Sequence, residues 1–159
     1  MARLTVEIRT PTSADGRYLI EHLRAADRDE MLATLGDADP YAAIDWILGA
    51  SSHAWAAVSN DTLLMVGGLV PISTLLGGSA AQPWMMGTTH LEARKGALMK
   101  VAVRYLGVMR GHYDHLTNYV DARNTTSIRW LKRLGFTVHP QTEPFGPYRM
   151  PFHHFEMTS

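Results

Sequence analysis

Cysteine is absent from the 159 residues, and neither sign of charge predominates, with 15 Lys and Arg against 15 Asp and Glu. Without thiols there are no disulfides, no thiolate metal sites and no cysteine nucleophile. The balance of charge argues against a nucleic-acid binder working through bulk phosphate attraction, and against a polybasic membrane-surface protein. No apolar run approaches the roughly 20 residues of a membrane helix. The N-terminus lacks the apolar stretch of a secretory signal, and there is no repeat or low-complexity tract. What the chain does have is 46% hydrophobic residues, enough at this length for one domain, 1–159, that buries roughly 70% of its extended surface. The expectation is a soluble, intracellular domain.

Periodicity supplies the elements. Residues 4–9 alternate apolar and polar, the pattern of a half-buried strand. Thr12 and Ser13 mark a helix cap, and residues 14–35 read as helical with a break near Ala25-Ala26-Asp27. Asp39-Pro40 reads as an N-cap followed by proline at the first helical position. Residues 53–59 and 62–70 read as strands joined by a tight Asn60-Asp61 turn. Gly67-Gly68 suggests a bulge or the close approach of another backbone. After a loose loop come a short strand over 84–88, a long helix over 91–110, and a strand over 116–122. A helix over 125–134, stopped by Gly135, precedes strands over 136–139 and 148–157. Thr89 and Glu92 have capping-box spacing at the start of the long helix.

The stretch Asn124–Phe136 (NTTSIRWLKRLGF) has an N-cap residue at its start and a glycine stop followed by a strand residue. It resembles the Asn-x-x-Ala-x-x-x-Tyr-x-x-x-Gly-Phe pattern of the GCN5-related N-acetyltransferase (GNAT) superfamily. Asn124, Gly135 and Phe136 match, and Ser127 replaces the alanine. The resemblance implies an α/β (α+β) GNAT fold, a mixed, mostly antiparallel twisted sheet of about seven strands flanked by helices. It also implies acetyl-CoA or another acyl-CoA as cofactor, held at the start of the long helix by Ala93, Arg94, Lys95 and Gly96, with Asn124 nearby. His90, Ala93 and Lys95 fall on the family's Arg/Gln and two glycine positions, so both glycines are missing. The family's tyrosine acid falls on Leu131, which has no proton to donate. Trp130 lies about 100° around the helix. His90 and Asp121 are the candidate bases, with Glu92 a third through water.

Eight histidines raise the question of a metal. His153 and His154 are adjacent on a strand and point to opposite faces, and no helical His-x-x-x-His pair exists, so no metal site is expected. Residues 64–138 further resemble the GNAT-like proteins of short-tailed bacteriophages, a group that includes internal virion or core components. Leu116, Asn118, Tyr119, Val120, Asn124, Ile128, Arg129, Leu131, Lys132 and Gly135 carry that resemblance. It implies a phage protein in the host cytoplasm or associated with the virion. Two readings stand: an N-acyltransferase acting on an amine, or a catalytically inactive GNAT fold that binds a host or phage protein or forms a homo-oligomer. Neither involves nucleic acid or a membrane.

Overall fold

The computed structural model describes residues 5–72 and 79–158. In chain order these form β1 (Glu7–Arg9), α1 (Ser13–Glu21), α2 (Ala25–Leu35), α3 (Pro40–Ala50), β2 (His53–Ser59), β3 (Thr62–Ile72) and β4 (Ala80–Gly87). A 3-10 turn (Leu91–Arg94), α4 (Lys95–His112), β5 (His115–Asp121), α5 (Thr125–Leu134), β6 (Thr137–Phe145) and β7 (Met150–Thr158) follow. One seven-stranded sheet runs in the order β1-β2-β3-β4-β5-β7-β6. All its pairings are antiparallel except β4 with β5. This is the GNAT fold that the sequence resembles. No helix among the described residues is long and apolar enough to cross a membrane.

Local chemistry fixes most element ends. Thr12 and Asp15 form a reciprocal capping box, with Asp15 N–H donating to Thr12 Oγ1 at 3.3 Å and Thr12 N–H to Asp15 Oδ2 at 2.7 Å. Asp39 Oδ1 accepts from Tyr41 N–H at 3.0 Å, with Pro40 opening α3. Asn60 and Asp61 both have positive φ, as a two-residue hairpin turn of the primed type requires. Gly135 ends α5 in the left-handed region, and Phe136 N–H returns to Leu131 O at 3.0 Å.

Several expectations need correction. The first helical stretch divides at His22–Arg24, not at Ala25–Asp27. His22 N–H closes α1 on Tyr18 and Leu19, and Leu23 pairs with Thr88 as an isolated bridge. Ala25 and Ala26 simply open α2. The bulge lies between Ala57 and Val58, while Gly67-Gly68 serves close approach. A Cβ on Gly68 would lie 2.5 Å from His53 O, and one on Gly67 2.9 Å from Trp84 O. The strand expected over 84–88 begins at Ala80, and those expected over 136–139 and 148–157 run over Thr137–Phe145 and Met150–Thr158. Pro140 and Pro144 hid the length of β6, which is tolerated because β6 is the sheet's edge strand.

The Thr89–Glu92 capping box does not form. Thr88, one residue earlier and fully buried, makes the turn instead. Its hydroxyl donates to Leu63 O at 2.8 Å and accepts from His90 N–H at 3.3 Å. The chain then makes a 3-10 turn, so that Leu91 and Leu98 enter one apolar cluster with Ala57 and Leu64. Glu92 points outward to Lys95 Nζ, 2.6 Å away.

The sheet separates along one seam. β4 and β5 pair only at Ala80 with His115 and Ala81 with Leu116. Pro83 O accepts from the Asn118 side chain at 2.9 Å, so Pro83 directs its backbone toward β5, where it has no N–H to offer a ladder. The strands diverge from there.

Candidate active site: a passage through the divided sheet

The divergence opens a cavity of about 410 Å³ reaching both faces of the sheet. On one face α4 lines it with Leu98, Val101 and Tyr105, and on the other α2 and α3 contribute Met31, Ile44 and Ile47. The wall is mainly apolar, which makes its carboxylates, Asp27 and Glu30, conspicuous. Both belong to α2, and their i, i+3 spacing places them on the face that carries Met31 and Thr34 toward the cavity.

Asp27 is the hub of a buried polar network. Its side chain is 3% exposed and accepts from Arg24 Nε at 2.9 Å, from Arg24 Nη2 at 3.0 Å, and from Gly87 N–H in β4 at 2.8 Å. Asn124 Nδ2 approaches its other oxygen at 3.4 Å, and Arg24 also donates to Ser127 Oγ at 3.3 Å. Thus α2 fastens β4 on one side of the seam to the start of α5 on the other. Glu30 makes a parallel connection, its Oε1 accepting from Asp121 N–H at 2.6 Å. Burial pushes the Glu30 carboxyl up to about 7, and the neighbouring Asp27 and Asp121 charges add to that rise against the lowering effect of the Asp121 amide. Glu30 therefore exchanges a proton near neutrality at the cavity wall.

The residues singled out from sequence lie elsewhere. His90 Nε2 is 3.0 Å from the Tyr18 hydroxyl, outside the cavity wall. Asp121 is buried at the end of β5, and its carboxylate accepts from the Arg123 amide at 2.9 Å and from Arg123 Nη2 at 2.7 Å. Burial works to raise its carboxyl, but the bonds from Arg123 hold it below the usual range. It acts as a fixed counter-ion rather than an available base. Asn124 is buried and caps α5, its Oδ1 accepting from Ser127 N–H at 3.3 Å. Ala93 and Arg94 close the 3-10 turn, and Lys95 and Gly96 open α4, whose N-cap position carries no side-chain hydrogen bond. Nothing would meet a Cβ at Gly96 within 4 Å, so that start is open. Glu92 intrudes on it, bridging Lys95 and lying 3.9 Å from Arg24. Leu131 and Trp130 line the cavity, with Trp130 Nε1 donating to Met99 Sδ at 3.0 Å.

Sequence reasoning missed Asp27 and Glu30, which sit in the stretch ADRDEM and look there like a solvated helix face. The one available signal was their sharing of a helical stripe with Met31. It also missed a histidine cluster. His153 and His154 do face opposite ways, His153 Nδ1–H donating to His139 O at 2.9 Å and His154 lying beside Thr117. Strand pairing nonetheless brings His154 together with His139 and Glu156.

Solved structures share this fold along nearly all of their length. A ribosomal-protein-alanine N-acetyltransferase from Brucella melitensis superposes with a TM-score of 0.73 at 16% identity, over 96% of this chain and 99% of its own. A GNAT-family acetyltransferase from Streptococcus pneumoniae gives 0.65 at 12%, over 97% and 99%. Spermidine N-acetyltransferase from Vibrio cholerae, solved with CoA and spermine, gives 0.66 at 12%, over 97% and 95%. Likeness at such identity shows the fold. No curated protein matches the chain. The sequence model of a family described as "Bacteriophage T7, probable scaffold protein Gp13" matches residues 61–142, from the β2–β3 turn into β6. That span includes the divided seam, the turn before α4 and all of α5, and the chain belongs to this phage family.

Proposed function

We propose that the protein is an acyl-CoA-dependent N-acyltransferase in which Glu30 is the base. The observation that carries the reading is the cavity through the sheet with a carboxyl of pKa about 7 in its wall. The open start of α4 suits an anionic cofactor, since amides at a helix N-terminus favour phosphate. Arg94, Lys95 and the amides near Gly96 would hold the pyrophosphate once Glu92 releases Lys95. Acyl-CoA supplies an activated thioester when bound. Glu30 accepts the proton that an attacking ammonium must lose, as a base poised near the working pH does best. The apolar walls exclude water, and two-sided access brings acceptor and donor to one place from opposite faces. Leu131, at the position of the family's tyrosine acid, has no proton to give.

The Glu92–Lys95 pair and Leu131 favour a second reading, a GNAT fold kept as an assembly or host-protein-binding module in the host cytoplasm or the virion. Thermal unfolding with acetyl-CoA separates the two. Ligand at about 100 times its dissociation constant adds roughly 2.7 kcal/mol, a rise of a few degrees for a domain of this size. The enzyme reading expects that rise and its loss in Lys95→Glu. It also expects thiol release with a panel of amines, increasing with pH about a midpoint near 7 and lost in Glu30→Gln while acetyl-CoA still binds. No thermal shift would overturn it.

A further inference from the structure

The outer half of the sheet gathers imidazoles and a carboxylate that the cavity does not use. His154 and Glu156 alternate onto one face of β7, and His139 of β6 and His115 of β5 reach that face from the flanking strands. Glu156 Oε2 lies 2.8 Å from His139 Nε2 and 3.3 Å from His154 Nδ1. All three ligand atoms fall within 4.8 Å of one another. The two rings are nearly parallel, with centroids 4.9 Å apart and planes 8° from each other.

We propose that His139, His154 and Glu156 bind one divalent transition-metal ion of the zinc type, clamping the β6–β7 hairpin. Ligands at about 2.0–2.1 Å around a tetrahedral ion stand roughly 3.3 Å from each other, the spacing Glu156 Oε2 already keeps from His154 Nδ1, while His139 Nε2, now 2.8 Å from it, would move back by about 0.5 Å. Two imidazoles and one carboxylate suit zinc over calcium or magnesium, which prefer all-oxygen shells. The outer shell is present as well. Thr117 Oγ1 is 2.6 Å from His154 Nε2, the nitrogen opposite the proposed ligand atom, and its hydroxyl can accept from Nε2–H when Nδ1 takes the ion. His115 Nε2 stands 3.3 Å from Glu156 Oε1, orienting the carboxylate from the far side. The side chains are partly exposed, 43% at His139 and 28% at Glu156, so a hydrated ion can enter and retain water at its remaining position.

The test uses the full chain stripped of metal with a chelator and titrated with zinc sulfate. Expected are saturable binding of one ion per chain, a rise in Tm, and no response to calcium or magnesium chloride at the same concentration. Cobalt substitution should give the visible absorption of a low-coordinate site. Glu156→Gln and the pair His139→Gln with His154→Gln should abolish all of this. Thr117→Val, which keeps every ligand, should weaken binding about 10-fold or more. His53→Gln with His112→Gln removes another close imidazole pair, 4.4 Å between centroids, and should change nothing. Absence of saturable zinc binding overturns the proposal, and so does binding that survives loss of His139 and His154 or disappears with His53 and His112.

Discussion

Asp27 shows what one buried carboxylate can control. Arg24 is nearly as inaccessible as its partner, at 8% and 3% side-chain exposure, so each charge depends on the other for its solvation. Removing one member of such a pair leaves an uncompensated buried charge, at a cost of about 3–5 kcal/mol. Asp27→Ala should therefore lower unfolding stability by about that amount, and Arg24→Ala should be comparably harmful. The double variant should be much less destabilised than the sum, because the second removal takes away the charge stranded by the first. Urea denaturation of the four proteins measures this directly. Strictly additive losses would mean that the pair is not the unit of stability.

Helix ends can be compared at the scale of the element because the sequence offers a cap at Thr12-Ser13 and a capping box at Thr89–Glu92, and only the first forms. Thr12 accepts from Asp15 N–H, whereas the turn near Thr89 is made by Thr88. Thr12→Ala should cost about 1 kcal/mol in chemical denaturation, and Thr89→Ala should stay within about 0.5 kcal/mol. Equal losses would show that Thr89 does cap α4. The contrast also marks where sequence stops informing. The hairpin turn, the Asp39 and Asn124 caps and the Gly135 stop were readable because each is settled within a few residues. The 3-10 turn before α4 was not, since it depends on Leu91 reaching Leu64 and Leu98. The candidate site divides in the same way. Asn124, Lys95 and Leu131 could be placed by motif, but Glu30 gains its unusual proton affinity only from what folds around it. The histidine cluster needs three strands in register, which no spacing along the chain displays.

The sheet consists of two half-sheets, β1–β4 and β5–β7–β6, paired at two residue pairs, linked by the Asn118–Pro83 bond and a shared apolar cluster, and crossed at the seam by α2. The whole molecule's stability should vary with pH in opposite senses on the two flanks. Asp15, hydrogen-bonded to Arg9 Nη2 at 2.8 Å, and Asp121, bonded to Arg123, are held below the ordinary carboxylate range. Their contributions are present above about pH 4 and are lost as pH falls through their folded values. Glu30 has the opposite sign. With its folded value near 7 against 4.5 for the ordinary group, the native state holds a proton that the unfolded chain releases. Its contribution is complete below 4.5 and disappears as pH rises through 7. Glu30→Gln keeps an acceptor for Asp121 N–H without the charge. It should be more stable than the parent by about 2 kcal/mol at pH 8, after discounting for the half-buried position, and about equal to it at pH 4, below both values. Comparing variant with parent cancels every ionisable group that the two share. Urea unfolding at the two pH values gives the result. A variant no more stable than the parent at pH 8 would show Glu30 to be an ordinary carboxylate, and the base assigned to the cavity would be lost with it.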